Sequence, residues 1–239
     1  MTPSSNKEGE MPSWKTPPEW KNPQALSDAG VTLYHMPLSP PCNKVYTVFK
    51  RYGVQFKVVE ATKKGSDYTK RPVIDIGDKQ INDSYIIMRV LAEALGGAPY
   101  TDEEVEIERL ITEELMFAME ITIMDIPSEL RKCGNVAPCP FKCIFNCCSC
   151  LPMITGMSSG LKKREPTVKS IAEYHNKFIQ ILGDKDFFHG STAGVIDCSL
   201  YGVMEPFRKA GNMCYLDFLG PETSSLSNWN ARVEALCNK

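Results

Sequence analysis

The stretch LYHMPLSPPCNKV, residues 33–45, decides how the rest of this chain is arranged. A short β-rich run ends in it, a proline turn follows, and a helix begins inside the turn. Such a junction leaves several backbone N–H groups unpaired at the start of the helix, where the helix dipole adds partial positive charge. An anion, a thiolate included, is therefore favoured at this place. Pro41 suits the first helical turn, because its missing N–H would have no partner there.

Ser39 and Cys42 are the candidate catalytic residues of this junction. The Ser39 hydroxyl is predicted to face the place where an anion would rest, and Cys42 lies one turn into the helix. Taken alone, the run S-P-P-C also fits a plain proline turn that caps a helix. For Cys42, two interpretations stay open at this point, a nucleophile or a small packed residue.

Length and charge narrow the class of protein. The 239 residues predict one or two domains, and an apolar fraction of 43% is enough for an ordinary core. A net charge of -2 gives no reason to expect nucleic acid as a partner, since a basic face is its usual footprint. The sequence contains neither an apolar run near the ~20 residues of a spanning helix nor a recognisable targeting signal. A cytoplasmic protein is therefore expected.

Three regions are predicted along the chain. Residues 1–30 are a Pro-rich arm, of which Trp14 and Trp20 are expected to lie against the body of the protein. Residues 31–97 read β-α-β and then β-β-α, the order of a thioredoxin-like domain. Its strands are expected at 31–34, 54–60, 73–76 and 79–82, and its helices at 44–52 and 84–95. Residues 98–239 predict an all-α helical bundle, with helices at 101–125, 167–182, 194–210 and 226–237.

Two further motifs complete the candidate site. Arg71-Pro72-Val73 opens the third strand, where a proline is usually structural but in a thioredoxin-like domain is typically cis and turns the next backbone groups toward a peptide ligand. Asp83 and Ser84 open a helix and are good N-caps. The same two residues could hold a carboxylate at the helix N-terminus and an ammonium at Asp83. Glutathione carries both groups on its γ-glutamyl end, and capping and ligand binding are compatible at these two residues.

Residues 31–95 resemble the N-terminal domain of the glutathione S-transferase superfamily, with P-V before the third strand and D-S opening the helix SYIIMRVL. The stretch FFHGSTAGVIDCSLY, residues 187–201, resembles the family's folding signature, in which Asp197 reaches back to the N–H of Gly194. Within the superfamily, NKV, INDS, VIDCSLYGV and NWNARVEAL are most similar to the membrane-associated prostaglandin E synthase type 2 group. That resemblance implies a prostaglandin H to E isomerase acting on a lipid endoperoxide, and an association with haem.

One departure from that group changes the implied mechanism. The group carries C-P-x-C, and here Ser39 stands in the place of its first cysteine, so dithiol chemistry with Cys42 is not available. The serine-type transferases use a serine at this place to donate a hydrogen bond to the glutathione sulfur, which lowers the pKa of that thiol. The thiolate then attacks an electrophile. The resemblance thus implies Ser39 and Cys42 as catalytic residues, and it implies glutathione binding by Arg71, Pro72, Val73, Asp83 and Ser84.

Two hypotheses from different classes follow. The first is a glutathione-dependent transferase or isomerase whose second substrate, a small hydrophobic electrophile, lies between the domains. The second is a non-catalytic member of the same fold that serves as a binding, scaffold or structural protein. Proteins of the superfamily commonly form dimers, so the resemblance also implies a homodimer.

A run of cysteines stands apart from this site. Six of the ten cysteines fall between residues 133 and 150, and their spacing matches neither a zinc ribbon nor a ferredoxin motif. Their apolar neighbours leave three interpretations: packed or surface thiols, S-acylation that associates the protein with a membrane surface, or a metal site. The three histidines, His35, His175 and His189, are not grouped as a metal site or a catalytic triad would require.

Overall fold

A computed structural model describes residues 4–7, 9–63, 67–136, 159–163 and 168–237. As the sequence predicts, a thioredoxin-like α/β domain is followed by a helical region. The cysteines of the 133–150 run other than Cys133 lie outside the described residues.

The N-terminal domain is built on a mixed five-stranded sheet with the order β1-β5-β4-β2-β3. Strands β2 and β3 are parallel, whereas β4 runs antiparallel to both β2 and β5. Strand β3 is shorter than the predicted strand at 54–60, and a two-residue strand, β1, that the sequence did not reveal extends the edge of the sheet. The bounds are β1 Ser4–Ser5, β2 Val31–Tyr34, β3 Phe56–Val59, β4 Val73–Ile76 and β5 Lys79–Asn82.

Three helices cover this sheet: α1 Pro23–Asp28, α2 Pro40–Arg51 and α3 Ser84–Leu95. Helix α2 begins at Pro40, inside the proline turn as predicted and four residues before its helical spacing starts at residue 44. Prolines are tolerated at the first helical positions, where no N–H partner is needed. The peptide bond between Arg71 and Pro72 is cis. Trp20 is buried and stacks edge-on against Trp14, with ring centroids 5.5 Å apart, so the arm does lie against the body.

The helical region begins with a long continuous segment that contains a π-helical stretch, Leu110–Leu115. The helix predicted from residue 167 begins at Ile171, because Ser170 and Glu173 form a capping box there. The helices α6 (Pro127–Val136) and α9 (Met213–Leu219) were not predicted. The bounds are α4 Asp102–Arg109, α5 Met116–Asp125, α6 Pro127–Val136, α7 Ile171–Leu182, α8 Val195–Ala210, α9 Met213–Leu219 and α10 Ser225–Cys237. None of the helices in the described ranges has the length and apolar character needed to cross a membrane.

Asp197 closes the start of α8 as predicted. Its buried carboxylate accepts the Gly194 N–H at 2.9 Å. It also accepts the backbone N–H groups of Phe188 and His189 and the indole N–H of Trp229, at 2.8, 3.2 and 2.7 Å. One side chain therefore joins the loop before α8, the helix itself and the C-terminal helix.

The two parts of the chain meet where α2 packs on α8. At Gly202 the contact is so close that an added Cβ would lie 2.7 Å from the Asn43 carbonyl oxygen and from the Lys44 Cα. Beside it, Lys44 Nζ and Glu108 Oε1 form an ion pair at 2.7 Å, with both side chains fully buried. Thr112 accepts from Lys44 at 2.8 Å and lies 3.0 Å from Glu108. The interface thus combines a helix contact that needs glycine with a buried pair of charges.

Candidate functional site

Strand register brings the three predicted motifs to one edge of the sheet. Val73, the first residue of β4, is paired with Tyr34, the last residue of β2, on one side and with Asn82, the last residue of β5, on the other. Neighbouring strands lie about 4.8 Å apart. The turn after β2, the cis-proline before β4 and the turn after β5 therefore lie side by side.

The β2–α2 turn is held tightly around Ser39. The Ser39 carbonyl accepts the N–H groups of Cys42 and Asn43 at 3.1 and 3.0 Å, and the Asn43 side chain donates to the Pro37 carbonyl at 2.7 Å. Ser39 is the N-cap of α2 but makes no capping bond with its side chain, and 6% of the residue is exposed. Its hydroxyl is therefore not used for capping.

Cys42 lies behind Ser39 and is fully buried. Burial raises the pKa of the Cys42 thiol, while a hydrogen bond with the Ser39 side chain lowers it by a smaller amount. A thiol with a raised pKa is protonated at neutral pH and is a poor nucleophile. This geometry favours the packed interpretation of Cys42.

Arg71 extends across the β2–α2 turn. Its guanidinium donates to the His35 carbonyl at 3.3 Å and contacts the Met36 sulfur at 3.4 Å. It thereby adds a positive charge near the start of α2, which favours an anion there. Pro72 and Val73 are buried, so only the backbone of Val73 could contact a ligand.

Asp83 has an unusual backbone conformation. Among the described residues other than glycine it alone has a positive φ, 71°. Strained residues of this kind cluster at functional sites. Its carboxylate accepts the Tyr85 N–H at 3.0 Å, which caps α3, and the Gly9 N–H at 3.2 Å. Ser84 follows as the first residue of α3 and is 6% exposed.

The N-terminal arm reaches the same place, which sequence reasoning missed. After β1, the Asn6 side chain accepts the Asn82 N–H at 2.8 Å and donates to the Asn82 carbonyl at 3.2 Å. The Asn82 side-chain amide donates a hydrogen bond to the Asn6 carbonyl at 2.8 Å. A two-residue strand is too short to show a periodic pattern, so no signal in the sequence could have indicated this contact.

His35 is the second residue that sequence reasoning missed. It is 6% exposed, its ring centroid lies 5.6 Å from that of Tyr46, and neither ring nitrogen has a hydrogen-bond partner. Burial, reinforced by the charges of Lys209 and Arg71, lowers the pKa of His35 to about 4. The imidazole beside the β2–α2 turn is therefore neutral at physiological pH.

The described residues do not fit haem. His35 offers ring nitrogens without partners, but the ring is packed in the core and leaves no open face for an iron. Across the part of the chain that the structure describes, no cluster of three or more His, Cys, Asp or Glu side chains could hold a metal ion.

A comparison with protein families independently supports the predicted fold class of the N-terminal domain. Residues 33–99 match the family model described as glutathione S-transferase, N-terminal domain. The matched range contains the β2–α2 turn, the cis-proline and the start of α3. No curated protein sequence matches the chain.

Solved structures of glutathione S-transferases are similar over nearly the whole chain. A Ceriporiopsis subvermispora glutathione S-transferase, solved in complex with glutathione, is 16% identical with a TM-score of 0.56, and the match covers 88% of this chain and 99% of that one. The beta-etherase LigF of Sphingobium sp. strain SYK-6 is 14% identical with a TM-score of 0.55, over 86% and 95%. A Pseudomonas fluorescens glutathione S-transferase is 12% identical with a TM-score of 0.53, over 86% and 94%.

These matches define the class of fold. The chain has the two-part fold of the glutathione S-transferases, a thioredoxin-like domain followed by a helical region. At such identities the likeness establishes the fold, and function has to be argued from the site.

Proposed function

We propose that this protein is a glutathione-dependent transferase or isomerase that activates the glutathione thiol. Ser39 donates a hydrogen bond to the glutathione sulfur, the Val73 backbone pairs with the cysteinyl residue, and Asp83 and Ser84 hold the γ-glutamyl end. Arg71 and Pro72 shape the middle of the site. Cys42 supports Ser39 from behind and does not act as a nucleophile.

The observation that carries this proposal is the strand register Tyr34–Val73–Asn82. Because of this register, the start of α2 with the Ser39 hydroxyl lies on one side of β4. The start of α3, with the Asp83 carboxylate and the Ser84 hydroxyl, lies on the other side. An extended tripeptide with a thiol in its centre and an α-amino acid group at one end matches that order of groups.

The chemistry required of the protein is stabilisation of a thiolate. The N-terminus of α2 and the Arg71 guanidinium both favour a negative charge beside Ser39. A hydrogen bond from Ser39 to the sulfur favours the charged form further and lowers the pKa of the thiol. The thiolate then attacks the electrophile, and the proton of glutathione leaves to solvent.

The test is retention of the full chain on immobilised glutathione, followed by conjugation of 1-chloro-2,4-dinitrobenzene. Ser39→Ala should lower kcat/KM by about 10- to 100-fold, since a hydrogen bond to a charged group contributes ~1.5–3 kcal/mol. Ser170→Ala is the matched control, because Ser170 is an exposed serine that caps α7 in the helical region. Equal rates for the wild type and Ser39→Ala would rule out the role given to Ser39.

A second candidate, a non-catalytic binding or scaffold protein, is favoured by the arm. Gly9 already bonds the Asp83 carboxylate, and Asn6 already pairs with Asn82. A variant lacking residues 1–10 distinguishes the two functions. Retention of the wild type on glutathione, together with conjugation that Ser39→Ala lowers, supports the enzyme. Lack of retention of both proteins supports the scaffold, and retention of the shortened variant alone shows that the arm covers the site.

Finer assignments stay predictions. We predict that the second substrate is a small hydrophobic electrophile and that the protein could isomerise a prostaglandin endoperoxide. We also predict a cytoplasmic location, with or without membrane association, and assembly as a homodimer. Product analysis with candidate electrophiles tests the first two, and sedimentation of the purified chain tests the last.

A further inference from the structure

The N-terminal arm lies against the sheet edge at the start of α3. Its strand β1 pairs in parallel with β5, the strand that leads into this helix. Asn6 follows β1 and is joined to Asn82 by three hydrogen bonds of 2.8, 2.8 and 3.2 Å. The arm is thereby held beside residue 82, and Asp83 is the next residue along that chain segment.

A turn after Asn6 places a backbone N–H against the Asp83 carboxylate. The Asn6 side-chain amide donates to the Lys7 and Glu10 carbonyls at 3.0 Å each. The Glu10 N–H donates to the Lys7 carbonyl at 3.2 Å, which closes the turn. Within it Gly9 has a φ of 74°, a conformation that favours glycine. The Gly9 N–H then donates to Asp83 Oδ2 at 3.2 Å.

This hydrogen bond uses the oxygen that the proposed ligand needs. Asp83 Oδ1 already accepts the Tyr85 N–H at 3.0 Å and caps α3. Oδ2 is therefore the oxygen left for the ammonium group of the γ-glutamyl end, and the Gly9 N–H occupies it. An ammonium forms a stronger hydrogen bond with a carboxylate than a neutral backbone N–H does. The ligand can thus displace Gly9, but at a cost in affinity.

The segment that makes these contacts buries little apolar surface. We call residues 4–7, 9 and 10 the strap. Among residues 5–7 and 9–13, whose burial the structure describes, Asn6 alone is buried, and its side chain is polar. Segments with few buried apolar contacts open locally at a low free energy. The strap can therefore leave the sheet edge while the rest of the fold stays intact.

The arm is anchored directly behind the strap. Trp14 packs edge-on against the buried Trp20, and the Lys79 ammonium lies 5.5 Å from the centroid of the Trp14 ring. The Thr16 hydroxyl donates to the Glu93 carboxylate of α3 at 2.7 Å. These contacts keep an opened strap near the site, so that it closes again when the ligand leaves.

We propose that the strap is an autoinhibitory element that competes with the ammonium group of the ligand for Asp83. It is closed in the free protein, where Gly9 occupies Oδ2, and it opens when the ammonium takes that oxygen. This inference rests on the proposed binding of glutathione at Asp83 and Ser84. A protein whose binding-competent state is only partly populated binds more weakly by that fraction, so glutathione should bind more tightly once the strap is removed.

Isothermal titration calorimetry of the full chain with glutathione tests the proposal. Gly9→Ala should lower the Kd at least about 5-fold, because a φ of 74° is unfavourable for a residue with a Cβ. A variant lacking residues 1–10 should bind at least as tightly. Gly97→Ala is the matched control, since Gly97 has a φ of 83° and open surroundings but follows the opposite end of α3. Its Kd should equal that of the wild type.

A glutathione analogue separates competition for Asp83 from other effects of the strap. Glutaryl-cysteinylglycine keeps the carboxylate and the thiol but lacks the ammonium, so it cannot replace Gly9 at Oδ2. Removal of the strap should therefore strengthen the binding of glutathione several-fold more than that of the analogue. Hydrogen exchange gives a second readout, because saturating glutathione should speed the exchange of the strap amides in the wild type.

Equal Kd values for the wild type, Gly9→Ala and the shortened variant would overturn the role of the strap and leave the proposed function standing. Equal strengthening of glutathione and analogue binding would do the same, as would strap amides whose exchange glutathione does not change. Absence of glutathione binding by all these proteins would overturn the proposed function and this inference with it. Should the shortened variant fail to fold, Gly9→Ala and the exchange measurement decide the question.

Discussion

Among single residues, Ser39 and His35 are two polar side chains that are buried beside the β2–α2 turn. Ser39 is a hydroxyl that caps no helix, in contact with a thiol that burial keeps protonated. His35 is an imidazole without hydrogen-bond partners behind the same turn. Both are polar groups whose burial costs free energy, as is typical of sites that serve function.

His35 should make the stability of the protein depend on pH. Its pKa is about 4 in the folded chain, lowered by burial and then by Lys209 and Arg71, against 6.5 for the free side chain. The unfolded chain therefore binds more protons between those values, and stability should fall as the pH drops from 6.5 to 4. The loss should approach about 3 kcal/mol, at 1.36 kcal/mol per pKa unit.

The measurement is urea unfolding of the wild type and His35→Phe at pH 7 and pH 4.5. Acidic groups contribute equally to both proteins, so the difference between them isolates the imidazole. If His35→Phe loses as much stability as the wild type between the two pH values, His35 is not the source.

Among the helices and strands, the start of α8 depends most on a single side chain. Asp197→Ala leaves four donors without their acceptor, the buried ones of Gly194, Phe188 and Trp229 and the part-buried N–H of His189. Each unsatisfied buried group costs ~1–3 kcal/mol, and partial access of water reduces the sum, so we expect a loss of about 3–5 kcal/mol. Urea unfolding measures it, with the exposed Asp184→Asn as the control. A loss below ~1 kcal/mol would contradict the role of this cap.

The N-terminal arm depends on the Asn6–Asn82 pair in a similar way. Asn6→Ala removes the acceptor of the Asn82 N–H and the donor to its carbonyl, both buried. We expect a loss of ~1–3 kcal/mol, together with faster hydrogen exchange at residue 82. Lys7→Ala, at the exposed neighbouring position, should change neither quantity. Unchanged exchange in Asn6→Ala would show that the arm does not protect this edge.

In the whole molecule, the buried Lys44–Glu108 pair joins the two parts of the chain. Glu108→Ala should cost about 3–5 kcal/mol, because it leaves a buried ammonium without its counter-charge. The double variant Lys44→Met, Glu108→Leu should regain most of that loss, since no charge is then buried. Glu106→Ala on the same helix breaks an exposed pair with Arg109 and should cost less than ~1 kcal/mol.

Unfolding by urea, followed with a probe in each part of the chain, tests this prediction. Equal losses for Glu108→Ala and Glu106→Ala would mean that the buried pair is no more important than a surface one. The same comparison shows whether the thioredoxin-like domain and the helical region unfold together.

Local features were predictable because their partners are close in the sequence. The strands at 31–34, 73–76 and 79–82, the helix at 84–95 and the cap at Asp197 all appear as predicted. Capping and strand patterns join residues only a few positions apart, so composition and spacing reveal them. The start of α7 was misplaced by four residues, because the capping box of Ser170 and Glu173 sets it.

The amino-acid sequence by itself determined the order of strands and helices, the two-part fold and the candidate residues at each turn. Only the tertiary structure decided that Asn6 covers Asn82 and that Lys44 pairs with Glu108. Those contacts join distant parts of the chain, and they form because burying apolar surface brings together groups that no local pattern pairs.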